Sequence, residues 1–258
     1  MKSFEGKVAI VTGASRQKGI GAAICRELAK NGCSIFFTYW TDYDHSMPWK
    51  IVADEPARLK EQLLQYGVKA ASLEVDLSRP DSLEELLNKA VEDVGAPDIL
   101  VNNAAYSTDA DFSGLTFEEL DRHYRINIRA TTMLSSGFAK RFTKGSGGRI
   151  INITSGQSKG PMPGELAYAA TKGAVEAMTL TLSAEVAPLG ITVNAVNPGP
   201  TDSGWMTEEL KAVLQPRFPF GRVGEPQDAA KLVNFLASDD AAWITGQILH
   251  SEGGFERG

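Results

Sequence analysis

Cysteine, histidine and excess positive charge are all scarce in this chain, and each shortage closes off a class of function. The 258 residues hold only Cys25 and Cys33, and only three histidines, His45, His123 and His250. The cysteines form no CxxC pair and the histidines are scattered, so the sequence offers no metal centre, and the thiols read as small core residues. Lysine and arginine number 26 against 32 acids, a formal charge of −6. That balance argues against a nucleic acid or an anionic membrane as the main partner, because both select clustered cations. No apolar run approaches membrane-spanning length, and no basic segment leads into an apolar one at the amino end, so the expectation is a soluble, cytoplasmic protein. Internal repeats, linkers and low-complexity tracts are missing too.

What remains is a chain that is 43% hydrophobic, enough to bury a core as one α/β domain over 1–258. Apolar runs of strand length near 7–12, 34–39, 71–75, 98–102, 149–154, 191–196 and 246–250 alternate with helical stretches. That pattern predicts a doubly wound parallel sheet of about seven strands, covered by helices on both faces. Two of the helices, 116–141 (in a stretch read as helical to 144) and 165–188, carry apolar and small residues on more faces than one sheet can cover, which points to self-association.

The first strand candidate, Lys7–Thr12, runs into a turn containing Gly13, Ser15, Arg16, Lys18, Gly19, Ile20 and Gly21, and then into an amphipathic helix. Strand, glycine turn and helix in that order place free backbone N–H groups where a pyrophosphate binds. Farther along, Tyr168 and Lys172 stand four apart in a helical stretch and so share a face. An ammonium beside a phenol favours phenolate and draws the pKa of the hydroxyl toward working pH, which would suit Tyr168 to general acid/base work and make Lys172 its tuner. Ser155 follows the buried strand candidate 149–154. Its hydroxyl would stand at a carboxyl end of the sheet, where it can bond a substrate oxygen.

Taken together, Thr12-Gly13 with Gly19-x-Gly21, Asp76 in LEVDLS, Asn102-Asn103-Ala104-Ala105, Asn127, Ser155, Tyr168/Lys172 and Asn197-Pro198-Gly199 resemble the short-chain dehydrogenase/reductase family over nearly the whole chain. The carboxyl stretch from Phe218 to Gly254 is most similar to the branch that holds 3-oxoacyl-carrier-protein reductases and glucose dehydrogenases. The resemblance implies a Rossmann-type nicotinamide dinucleotide site. In it Asp76 and Leu77 meet the adenine, Asn103, Ala104 and Ala105 back the cofactor, and Lys172 holds the nicotinamide ribose. Asn127 completes a proton relay with Lys172, and Pro198, Gly199, Thr201 and Ser203 lie near the carboxamide. It also implies a homotetramer. Two departures stand out: the glycine turn is two residues longer than the family's, and Ala105 replaces a glycine.

Cofactor choice turns on the end of the second strand, Ser34–Tyr39, where an acid would bind a ribose 2′-hydroxyl and repel a 2′-phosphate. None occurs before Asp42. Arg16 and Lys18 are cations that can pair with a phosphate, so NADP(H) is favoured and NAD(H) stays open. The polar, aromatic connection Trp40–Trp49 exceeds an ordinary turn. It either covers the adenosine, bringing His45 or Lys50 to a 2′-phosphate, or packs its own tryptophans at the surface.

Substrate recognition falls to Gly156–Glu165 and to a loop region of about 200–224, where Gln157, Met162, Trp205 and Met206 would form an apolar lid or pack on the core. The basic group Lys140, Arg141 and Lys144 would meet an acidic acyl carrier protein or be a solvated face. The chemistry expected is reversible hydride transfer between a nicotinamide and a carbonyl or secondary alcohol, a 3-oxoacyl thioester being the family-level choice. The alternative is a cofactor-sensing or scaffold protein without turnover, a role that needs no tuned phenol.

Overall fold

The computed structural model describes residues 4–257 apart from 48, 50, 51 and 53. Seven strands form one sheet: β1 (Val8–Val11), β2 (Ser34–Tyr39), β3 (Ala70–Glu74), β4 (Ile99–Asn102), β5 (Gly148–Ile153), β6 (Ile191–Asn197) and β7 (Ile248–His250). Their order is β3-β2-β1-β4-β5-β6-β7, and every pairing is parallel. The chain winds outward from β1 to β3, then crosses back to start β4 on the other side of β1. That reversal leaves a crevice at the carboxyl ends of β1 and β4, where open α/β sheets bind ligands.

Side chains alternate across the sheet and fill two cores. Ala9, Val11, Ile35 and Phe37 face α1 (Ile20–Lys30), α3 (Glu55–Leu64) and α9 (Pro226–Ala237). Ile10, Phe36, Leu100 and Ile150 face α4 (Pro80–Asp93) and α6 (Thr131–Arg141). Strands buried on both sides read as unbroken apolar runs, which is why β1, β2, β4, β5 and β6 were legible, while the edge strands β3 and β7 are only partly buried. Cys25 and Cys33 are free and fully buried in the first core, as expected.

The expected helix 116–144 is not continuous. It divides into α5 (Phe117–His123), a π-helical segment Tyr124–Ala130 and α6, and ends at Arg141. The irregularity has a local anchor. Asn127, buried inside the π segment, donates from Nδ2 to the Tyr106 carbonyl (2.9 Å) and to Thr171 Oγ1 (3.0 Å) and accepts from the Tyr106 N–H (2.8 Å). These bonds fix the helix to the segment leaving β4 and to α7 (Leu166–Val186), and π-bulges of this kind concentrate at functional sites.

A buried polar ladder sets the spacing of the central strands. Asn102 Nδ2 donates to Ser135 Oγ (2.9 Å) and to Asn152 Oδ1 (2.8 Å), and Asn152 Nδ2 donates to Thr179 Oγ1 (2.9 Å). Each rung is worth about 1 kcal/mol made and more if one partner is left unpaired. β4, β5, α6 and α7 are thereby held in one register beneath the crevice.

Candidate active site

Ser155 lies two residues past β5, and Tyr168 and Lys172 occupy one face of the first turns of α7. The sheet edge and the helix bring them together. Lys172 is 3% exposed, and its Nζ donates to the Ile153 carbonyl (2.7 Å) at the end of β5 while standing 5.5 Å from the centre of the Tyr168 ring. The Ser155 hydroxyl lies 3.9 Å from Met162 Sδ and faces the Tyr168 phenol, whose pKa it acts to lower. One hydroxyl from the sheet and one from the helix therefore meet at a point where a carbonyl oxygen can take both.

The electrostatics correct one expectation. Burial raises the Tyr168 phenol above its ordinary value, Glu165 and Tyr43 add to the rise, and the Ser155 hydrogen bond opposes it. Burial also lowers Lys172, to about 8. In the ligand-free chain the ammonium is turned to a backbone carbonyl under the ring, so it does not draw the phenol down. The protonated phenol is the resting state, which suits a group that gives a proton away.

Asn127 spends both side-chain donors on Tyr106 and Thr171 and so braces Thr171, the neighbour of Lys172.

The crevice above β1 has the features a dinucleotide needs. Gly19 caps α1 without any side-chain cap, and the first turn of that helix holds no acid, which leaves its N–H groups for an anion. Gly13 adopts φ +72° and lies so close to β4 that a Cβ would sit 2.6 Å from Ala104 Cα. Asn103 Nδ2 ties the turn down by donating to the Thr12 and Gly13 carbonyls (2.9 and 2.8 Å), and Thr12 Oγ1 accepts from the Asn103 and Ala104 N–H groups at 3.0 Å. Ala105 is half-buried beside them. These donors fit a nicotinamide dinucleotide, although the Glu55 carboxylate accepts from the Gln17 N–H of the same turn.

The remaining expected contact residues have local partners of their own. The Asp76 carboxylate accepts from Ser78 N (2.8 Å) and Ser78 Oγ (2.9 Å), and the Leu77 side chain is buried in the second core. Thr201 is buried and its hydroxyl turns to the Pro198 and Gly199 carbonyls (3.0 and 3.2 Å). Tyr39 ends β2, tilted 6.4 Å from Phe37. Met206 is buried while Trp205 is half-exposed with its indole N–H on the Thr201 carbonyl (2.8 Å), so of that pair Trp205 fits the expected lid. Gln157 donates to Thr154 Oγ1 (3.4 Å). Of the basic group, Arg141 pairs with Glu84 and Lys144 with Asp98 (2.6 Å). Those pairings leave less positive charge for an acidic carrier protein than the sequence implied.

The glycine turn holds a surprise. Arg16 is not a solvated loop charge: Nη1 donates to the Ser203 carbonyl (2.9 Å), Nε lies 3.7 Å from Asp44 Oδ1, and the guanidinium stacks 4.0 Å from the centre of the Trp49 ring. Asp44 belongs to α2 (Thr41–Ser46), so the long connection after β2 folds back over the turn instead of running free. Lys18 is exposed near Gly204, and His45 is exposed on α2. Lys50 lies outside the described residues.

The carboxyl tail closes the far side. Arg257 Nη2 pairs with Glu252 Oε2 (2.8 Å), which also accepts from Asn197 Nδ2 (2.8 Å), and Phe255 packs 4.8 Å from Phe218 in the expected substrate loop. A Cβ on Gly156 would fall 2.1 Å from Arg257 Nη2. Gly156→Ala should therefore fold but expel Arg257 from Glu252. The expected result is faster amide hydrogen exchange at Phe255 and Glu256, with a stability loss of about 1 kcal/mol; unchanged exchange would show that the pair does not hold the tail. Neither Asp44 nor Arg257 stood out in the sequence, because each acts on residues distant in the chain and carries no motif.

A family model described as Enoyl-(Acyl carrier protein) reductase matches residues 13–256. The chain belongs to the short-chain dehydrogenase/reductase family and is an oxidoreductase of that class. It is 51% identical to "Uncharacterized oxidoreductase YjdA" of Bacillus subtilis, with all of both chains covered. It is 34% identical to "3-oxoacyl-[acyl-carrier-protein] reductase FabG" of Aquifex aeolicus, over 97% of this chain and 98% of that one. Among solved structures, a blue fluorescent protein from a metagenomic library in complex with NADPH superposes with a TM-score of 0.88 at 33% identity, covering 99% of this chain and 100% of the other. Among the described residues no helix is long and apolar enough to cross a membrane, and no group of His, Cys, Asp or Glu is arranged to hold a metal.

Proposed function

We propose that this chain is an NADP(H)-preferring reductase acting on a carbonyl of a small molecule, and on the corresponding secondary alcohol in reverse. The observation that carries the reading is the meeting of the Ser155 and Tyr168 hydroxyls beside a buried Lys172. A nicotinamide held over the crevice at β1 and β4 would supply the hydride. Ser155 Oγ donates a hydrogen bond to the carbonyl oxygen and stabilises the charge that develops there. Tyr168 Oη gives that oxygen its proton, so one hydride and one proton turn the carbonyl into an alcohol. Lys172 supports the resulting phenolate and holds the nicotinamide ribose, and Asn127 keeps α7 in place. A 3-oxoacyl thioester is one substrate class consistent with the FabG relatives; free ketones and aldehydes need no carrier protein and fit the paired state of Arg141 and Lys144 better.

Exposed Met133 and Leu180 on α6 and α7 support assembly as a homotetramer through those helices. For the cofactor, Arg16 is the phosphate partner. A charge-assisted phosphate bond is worth about 1.5–3 kcal/mol, so Arg16→Ala should weaken NADPH roughly ten- to a hundredfold and leave NADH nearly unchanged. Titrating the wild type and Arg16→Ala with both cofactors decides the matter, and equal affinities of the wild type for NADPH and NADH would reject the preference.

A further inference from the structure

The acid that the sequence lacks at the end of β2 is supplied three-dimensionally by α2. Asp44 has only 8% of its side chain exposed. Its carboxylate accepts a hydrogen bond from Trp49 Nε1 (3.2 Å) and faces the charge of Arg16 (Oδ1 to Nε, 3.7 Å), with the Ser15 hydroxyl beside it. A hydroxyl, an indole N–H and a guanidinium converging on one oxyanion form a donor set that would serve a phosphate monoester as well. Ser15 and Arg16 both belong to the glycine turn that lies over the crevice at β1. The lengthened glycine turn and the long connection after β2 meet at this carboxylate.

We propose that Asp44 is an internal stand-in for the cofactor 2′-phosphate, seated on Ser15 and Arg16 in the free protein and displaced when a 2′-phosphate binds. The proposal rests on the NADP(H) reading above. Two anions cannot share one guanidinium without repulsion, and the nearby Glu55 adds negative charge to the same neighbourhood. Asp44 thus competes with the 2′-phosphate and has no such conflict with a 2′-hydroxyl, so it lowers selectivity for NADPH below what Arg16 alone would give. Tyr43 extends the coupling: its ring lies 5.7 Å from that of Tyr106, beyond β4. Moving α2 therefore disturbs contacts on the catalytic side of the crevice.

The test uses adenosine 2′,5′-bisphosphate and adenosine 5′-monophosphate, which differ only in the 2′-phosphate, measured by calorimetry on wild type, Asp44→Asn and Arg16→Ala. Asp44→Asn should bind the bisphosphate roughly tenfold tighter and the monophosphate as wild type does. Unchanged bisphosphate affinity in Asp44→Asn, with Arg16→Ala still weakening it, overturns the role of Asp44 and leaves the NADP(H) reading standing. If Arg16→Ala also binds the bisphosphate as wild type does, both fall. The wild type gives an answer that needs no variant to fold: the bisphosphate, but not the monophosphate, should speed hydrogen exchange in α2, where Met47 N–H is bonded to the Asp44 carbonyl at 3.3 Å. Slowed or unchanged exchange there contradicts displacement.

Discussion

Tyr168→Phe should leave the chain folded and its cofactor bound while turnover falls by about 10²–10⁴, the loss that accompanies removal of a general acid. The substitution keeps the ring that packs over Lys172 and removes the hydroxyl that meets Ser155. Deleting a half-buried hydroxyl whose partner is another hydroxyl leaves no buried charge behind, so thermal stability should change by less than about 1 kcal/mol. Steady-state kinetics with a reducible carbonyl, beside a cofactor titration of the same preparation, separates the two effects. A variant that turns over at the wild-type rate would remove Tyr168 from the chemistry.

Lys172→Met is expected to combine a gain with a loss. Burial holds the Lys172 ammonium at about 8, below its ordinary 10.5. The folded chain therefore binds fewer protons at this site than the unfolded chain between those two values, and the contribution of Lys172 to stability rises as pH climbs through that window. Below it the buried charge costs on the order of 3 kcal/mol. Methionine removes that cost but leaves the Ile153 carbonyl without its 2.7 Å donor, which takes back about 1 kcal/mol. The net expectation at pH 7 is a cofactor-free protein stabilised by about 1–2 kcal/mol, a rise of a few degrees in Tm. Turnover should fall about a hundredfold or more, since an electrostatic contribution to the reacting centre is lost. Melting curves at pH 7 and pH 10 are the check. The gap between variant and wild type should narrow at the higher pH; a gap that widens there would contradict the buried, charged lysine. Trading stability for a functional group in this way is common at active sites.

Much of this was legible in the sequence for a physical reason. Parallel strands buried on both faces appear as plain apolar runs, so β2 is found at Ser34–Tyr39 and the other strands shift by a residue or two. The proximity of Tyr168 and Lys172 follows from helical spacing, and that of Ser155 from its place after a strand. What escaped depends on contacts between distant segments. The π segment arises because Asn127 is fastened to Tyr106, 21 residues earlier. Arg16 found Asp44, Trp49 and the Ser203 carbonyl, none of which its own neighbourhood announces. The direction of the Tyr168 shift was missed because spacing reports which residues share a face and not how deeply they are buried, or that the lysine would turn to Ile153.

The central claim is that this site performs hydride transfer coupled to proton donation by Tyr168. The most direct measurement follows nicotinamide absorbance while wild type is presented with NADPH, NADH and a panel of ketones, aldehydes and 3-oxoacyl thioesters, with Tyr168→Phe run in parallel. The account predicts catalytic consumption of NADPH with at least one carbonyl, slower with NADH, and lost in Tyr168→Phe. A wild-type protein that binds NADPH tightly yet turns over none of these carbonyls, nor the corresponding alcohols with the oxidised cofactor, would contradict it and leave a cofactor-binding protein without turnover.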